Sequence, residues 1–172
     1  MHQLFLLRHA KAEPGTSNIS DHERGLTISG RRDAGKIAQA MRQAGLAPEV
    51  VLVSTALRTR QTLEELENGS VWEEWPNIDA LPQLYMATLP QLLSTIRDLP
   101  ETVRSALIIG HNPGLHELAL RFSVGMRGSA YDSRLGDSYP TATLSEFLVT
   151  GSWRTAREDI VSLKRLVFAK DC

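Results

Sequence analysis

Leu4-Phe5-Leu6-Leu7 runs without a break into Arg8-His9-Ala10, and this junction limits the possible folds most sharply. An unbroken apolar run of this kind reads as a strand buried on both faces, as parallel sheets require. Its carboxyl end delivers a guanidinium and an imidazole. The pattern recurs. Val50-Val51-Leu52-Val53 leads to Ser54 and Arg58, and Ala106-Leu107-Ile108-Ile109 leads to Gly110-His111-Asn112-Pro113-Gly114. Ligands of open α/β sheets bind outside the carboxyl ends of the strands. Two histidines and at least two arginines converging there would suit a phosphoryl group.

The spacing predicts strands over about 3–8, 50–54 and 106–110. Between the first two lies a polar loop from Lys11 to Arg24, then a helix entered through Leu26–Gly30. Ala34, Ile37, Ala38, Met41 and Ala44 form its apolar stripe, and Gly45 and Pro48 stop it. A second helix over about 55–67 is predicted to start at a Ser54/Thr55 cap. Trp72, Trp75, Pro76 and Pro82 suggest an irregular connection. Helices are predicted over Thr88–Leu99 and 114–123, a long loop over Ser123–Tyr139, and late strands over about 144–149 and 160–169. Strands alternating with helices imply an α/β layered fold. At 172 residues the chain suits a single domain over 1–172.

Composition excludes several function classes. The net charge is -1, so no global basic field draws the chain to nucleic acid or to an anionic membrane. Any anion site must come from locally gathered arginines. The one cysteine, Cys172, rules out an internal disulfide framework and a zinc-thiolate cluster, and fits a reducing cytoplasm. No apolar stretch approaches the roughly 20 residues that span a bilayer, and Met1-His2-Gln3 does not open a signal peptide.

A neutral His9 could attack phosphorus through a ring nitrogen, and neighbouring guanidinium groups would keep it neutral. Taken alone, Arg8 and His9 fit a polar strand end equally well. Arg58 falls in the first turn of its helix, where a cation opposes the dipole unless an anion is bound. His111 could donate to a phosphoryl oxygen or protonate a leaving group, or be a satisfied buried histidine. Gly110 permits close backbone approach. Arg60, His2 and His22 are expected at the surface. His111 and His116 lack the spacing and the third ligand of a metal site.

Taken in order, these segments resemble the histidine phosphatase superfamily, which includes the cofactor-dependent phosphoglycerate mutases. Within it they are most similar to the SixA-type phosphohistidine phosphatases. The likeness rests on Leu7-Arg8-His9-Ala10, Arg24-Gly25-Leu26-Thr27 with Gly30, Ser54 through Arg58 to Gln61-Thr62, Gly110–Pro113, and Tyr139-Pro140-Thr141. It implies a three-layer α/β/α sandwich around a mostly parallel sheet, of the phosphoglycerate mutase-like kind. It implies that His9 is the phosphorylated nucleophile and that Arg8, Arg24, Arg58 and His111 form the phosphate pocket. It also implies no metal or organic cofactor.

Many relatives carry a glutamate general acid where this chain has Leu81–Met86, a stretch without an acid. A phosphoramidate needs less help, because its leaving ring nitrogen takes a proton readily. The expected substrate is therefore a phosphohistidine on an HPt-like protein domain. The alternatives are a small phosphorylated metabolite, with Asp21, Glu23 or Glu13 as the missing acid, and a phosphate-dependent binding module without turnover. Arg127 and Arg134 could contact a partner from the 123–139 segment, although a solvated mobile loop is the expected reading there. The oligomeric state is left open by the sequence.

Overall fold

Residues 1–126 and 130–172 are described by a computed structural model of the chain. Six strands form one sheet: β1 (His2–Arg8), β2 (Val50–Ser54), β3 (Asn77–Leu81), β4 (Ser105–Gly110), β5 (Thr143–Val149) and β6 (Val161–Phe168). Their order across the sheet is β3-β2-β4-β1-β5-β6. The β3-β2-β4-β1 pairings are parallel, and β5 and β6 pair antiparallel. The helices are α1 (Ile28–Gln43), α2 (Leu57–Asn68), α3 (Leu89–Arg97), α4 (Gly114–Phe122) and α5 (Ala130–Asp137).

Alternation along the strands builds two cores. Leu4, Leu6, Leu52, Ala106 and Ile108 pack with Leu93 and Ile96 of α3 and Leu115 and Leu118 of α4. Phe5, Leu7, Val51, Val53, Leu107 and Ile109 face the other way, onto Ala34, Ile37 and Met41 of α1 and Leu63 and Leu66 of α2. Each central strand is buried on both sides, so its sequence reads as a continuous apolar run rather than an alternating one. The result is the expected α/β/α sandwich around a mostly parallel sheet.

The structure corrects several expectations. The connection through Pro76 contains β3, an edge strand bonded only to β2. It is largely exposed and bounded by Pro76 and Pro82, so it carries neither apolar periodicity nor a strand signature. The segment 123–139 is not a loop: a short 3-10 turn at Val124–Met126 and α5 occupy most of it. Its glycines hid that helix. Arg127 lies outside the described residues, and Arg134 pairs with Asp171. The helix α2 has Ala56 at its N-cap with no side-chain cap bond, because Ser54 and Thr55 bond to histidines instead. Finally, His2 is buried against Trp153, its Nδ1 on the Val103 carbonyl and its Nε2 near Glu101. Among the described residues no helix is long and apolar enough to cross a membrane.

Two glycines lock loops onto helices beside the carboxyl edge of the sheet. A Cβ at Gly30 would lie 2.1 Å from the Lys11 carbonyl oxygen, and one at Gly114 would lie 2.0 Å from that of Ala87. Backbone cannot yield as a flexible side chain can. Gly114→Ala is therefore expected to lower the urea midpoint without changing its slope, a loss of about 1–3 kcal/mol. An unchanged midpoint would mean that the Ala87 turn does not bear on α4.

Candidate active site

Parallel register brings the site together. Arg8 of β1 lies opposite Gly110 of β4, and Val53 of β2 opposite Ile109, so all three strands end at one level. Arg8, His9, Ser54 and His111 emerge there, and Arg58 enters from the first turn of α2. Arg58 is only 3 % exposed. The free N–H groups at a helix start make this a natural anion position.

His9 is 8 % exposed and held in one tautomer. Its Nδ1–H donates to the Ala10 carbonyl at 2.7 Å. That leaves Nε2 unprotonated, and it accepts from Arg58 Nε–H at 3.3 Å. The turn after His9 is fixed in two ways. Ala10 N–H donates to Thr62 Oγ1 at 3.0 Å, and Ala142 N–H approaches the carbonyls of Arg8 and His9. Gln61, the neighbour of Thr62, accepts from Leu26 N–H at 2.7 Å. The Gln61-Thr62 pair thus ties α2 to both loops that carry the site.

His111 faces His9, ring centroids 5.3 Å apart. Its Nε2 is 2.7 Å from Ser54 Oγ, and its Nδ1 is 3.3 Å from Arg58 Nη2. A guanidinium can only donate, so Nδ1 is the acceptor and Nε2 carries the proton to Ser54. Both imidazoles are neutral in this arrangement. Burial pushes His9 down to about 4, with Arg58, Arg8 and Arg24 adding to the effect. Burial, then Arg58 and His9, push His111 down to about 3.

These shifts link pH to stability. Unfolded histidines take up protons near 6.5, whereas folded His9 and His111 do not until about 4 and 3. The unfolded state therefore binds more protons throughout that window, and stability falls as pH drops from 6.5 toward 4. Thermal unfolding at pH 5 should show a lower midpoint than at pH 7. The difference should shrink in His9→Asn and His111→Asn; an equal difference in both variants would place its origin elsewhere.

Arg8 Nη1–H donates to the Tyr139 carbonyl at 2.9 Å, and Asn112 Nδ2–H donates to the same oxygen at 2.8 Å. Arg8 Nε is buried without a partner. An orphaned guanidinium donor beside a second guanidinium is costly unless an anion completes it. Tyr139 is itself anchored, its hydroxyl near the Leu6 carbonyl and Ser145 Oγ. Arg24 donates from Nε to the Glu13 carbonyl at 2.7 Å and from Nη1 to Asp21 Oδ1 at 2.7 Å. All five expected residues, Arg8, His9, Arg24, Arg58 and His111, thus gather at one edge, Arg24 joining through Asp21.

Sequence reasoning missed three neighbours. Tyr85 sets its ring edge-on to His111 at 5.4 Å and donates its hydroxyl to Asp21 Oδ2. His22 is half-buried rather than at the surface, bonded to Thr55 Oγ1 at 2.9 Å and packed on Tyr85. Met86 holds its sulfur 4.0 Å from Arg58 Nη2 and has a φ of 50°, in the left-handed region that non-glycine residues rarely occupy. No local pattern signals Tyr85, His22 or Met86. His116 lies elsewhere, bonded to the Leu135 carbonyl and stacked on Tyr139.

Comparison with known proteins follows the same lines. The family model described as the histidine phosphatase superfamily (branch 1) matches residues 4–81. An uncharacterised protein of Mycobacterium tuberculosis is 32 % identical over 153 residues, covering 86 % of this chain and 89 % of that one. Two solved structures provisionally named phosphohistidine phosphatase SixA also match. One, from Agrobacterium tumefaciens, has a TM-score of 0.79 at 26 % identity, over 96 % of this chain and 97 % of the other. The second, from Nakamurella multipartitia, has a TM-score of 0.79 at 27 % identity, over 96 % and 95 %.

Proposed function

The chain belongs to the histidine phosphatase superfamily as a SixA-type phosphatase, and from that premise we propose that it removes the phosphoryl group from a protein phosphohistidine. The observation that carries this reading is the tautomer of His9. With Nδ1–H on the Ala10 carbonyl, Nε2 is an unprotonated nucleophile set beside Arg58.

Nε2 of His9 attacks phosphorus in line with the departing nitrogen. A P–N bond forms to His9 as the substrate's P–N bond breaks, and the leaving imidazole keeps the electron pair and takes up a proton from solvent. Arg8, Arg24 and Arg58 hold the phosphoryl oxygens, with Arg58's planar fork suited to two of them. A bound dianion favours the imidazolium of His111. With a proton taken from solvent on Nδ1, in exchange for its contact with Arg58, His111 donates a hydrogen bond to a phosphoryl oxygen, while Ser54 still accepts from Nε2. Water next attacks phospho-His9: a P–O bond forms, the P–N bond breaks with its electron pair returning to Nε2, and the water's proton passes to solvent as inorganic phosphate leaves.

Two features favour phosphohistidine over a phosphate ester. The Leu81–Met86 stretch has no acid. Asp21, the acid nearest to Arg58, has its carboxyl held far below the usual range by hydrogen bonds from Tyr85 and Arg24, so it has no proton to give an alkoxide. A side-by-side assay on a phosphorylated HPt-type domain and on an aryl phosphate ester tests the proposal. Preference for the phosphohistidine, lost in His9→Ala, is expected. High ester turnover without that preference would contradict it.

A further inference from the structure

Asp21 sits where the phosphoryl ligand would need donors. Its Oδ2 lies 3.1 Å from Arg58 Nη2, its Oδ1 lies 2.7 Å from Arg24 Nη1, and the Tyr85 hydroxyl donates to Oδ2. The carboxylate is about half exposed, while Arg58 is buried beneath it. A small acidic group thus bridges two guanidinium groups at the mouth of the site.

One role for such a bridge is to hold the arginines in place, but neither depends on it. Arg58 is also held by the Asp21 backbone carbonyl at 2.6 Å and by its contacts with His9 and His111. Arg24 is also held by the Glu13 carbonyl. What the carboxylate adds is its charge. It takes an Nη2 hydrogen bond of Arg58 that an incoming oxyanion would otherwise accept, and it repels that oxyanion at short range, where a partly buried pair interacts strongly.

We infer that the Asp21 side chain is a built-in competitor of the phosphoryl group, setting how loosely the site holds oxyanions and favouring release of inorganic phosphate. The inference rests on the phosphatase reading of the site. It makes Asp21 a determinant of affinity for the proposed reaction's product, acting through Arg58 and Arg24. Phosphohistidine substrates are less affected, because contacts with the rest of a protein partner supply binding that free phosphate lacks.

Calorimetric titration of the intact protein with inorganic phosphate tests it. Asp21→Asn keeps the size of the side chain and removes the charge, and should bind phosphate about tenfold more tightly than the native protein. Asp21→Ser must move in the same direction. Tyr85→Phe leaves the carboxylate charge in place and should stay within about threefold of native. In turnover, Asp21→Asn should show stronger product inhibition and a lower KM. Equal or weaker phosphate binding in both Asp21 variants would overturn the inference and assign Asp21 a positioning role. That result would leave the phosphatase reading standing. Absence of phosphate binding in every variant would remove both.

Discussion

His9→Ala is expected to lower kcat/KM by at least about 10⁴-fold, the scale on which removal of a nucleophile acts when no other group can replace it. No substitute is at hand. The neighbouring imidazole, His111, has its Nε2 on Ser54 and its Nδ1 facing Arg58. The variant keeps Arg8, Arg24 and Arg58, so it should still bind inorganic phosphate. Lost turnover with retained binding would separate the nucleophile from the pocket. Residual activity within tenfold of native would mean that water, not His9, attacks phosphorus.

The second large effect is expected at Arg58. One guanidinium touches both histidines, the Asp21 carboxylate and the Asp21 backbone. Lysine keeps the charge but cannot reproduce a fork that reaches all four. Arg58→Lys should therefore cost about 10²–10³-fold in kcat, as loss of an aligned transition-state donor does. Arg58→Met should cost more, and should also move the acid limb of the pH–rate profile upward. The sign follows from charge: a nearby cation disfavours the imidazolium, so its removal raises the pKa of His9 and His111 toward 6.5. The shift should be partial, because burial, not Arg58, is the leading cause of both depressions. A profile unchanged in Arg58→Met would contradict the placement of this guanidinium.

How much of this was visible in the chain depended on where each signal resides. Burial on both faces of β1, β2 and β4 leaves unbroken apolar runs, so the strands and the residues at their ends could be read directly. Arg8, His9, Arg58 and His111 stand at or just beyond those ends. Arg24 sits in a polar loop and was reachable only through family resemblance. Strand β3 escaped because an exposed edge strand has no apolar period to show, and α5 because its segment is rich in glycine. Ser54 and Thr55 carry a helix-cap signal that the tertiary structure overrides, since their hydroxyls meet His111 and His22. Tyr85 and Met86 reach the site from a turn whose Ala87 carbonyl packs against Gly114 of α4. No spacing within the chain encodes that meeting.

Attack by His9 requires a covalent phosphoryl group on its Nε2 during turnover. Rapid quenching of the protein with a phosphohistidine substrate in alkali, followed by peptide mass spectrometry, tests it directly. Phosphate is expected on the peptide containing His9, stable in alkali and lost in acid, and absent from His9→Ala. Turnover without any phosphorylated His9, under conditions where release is slowed, would contradict it.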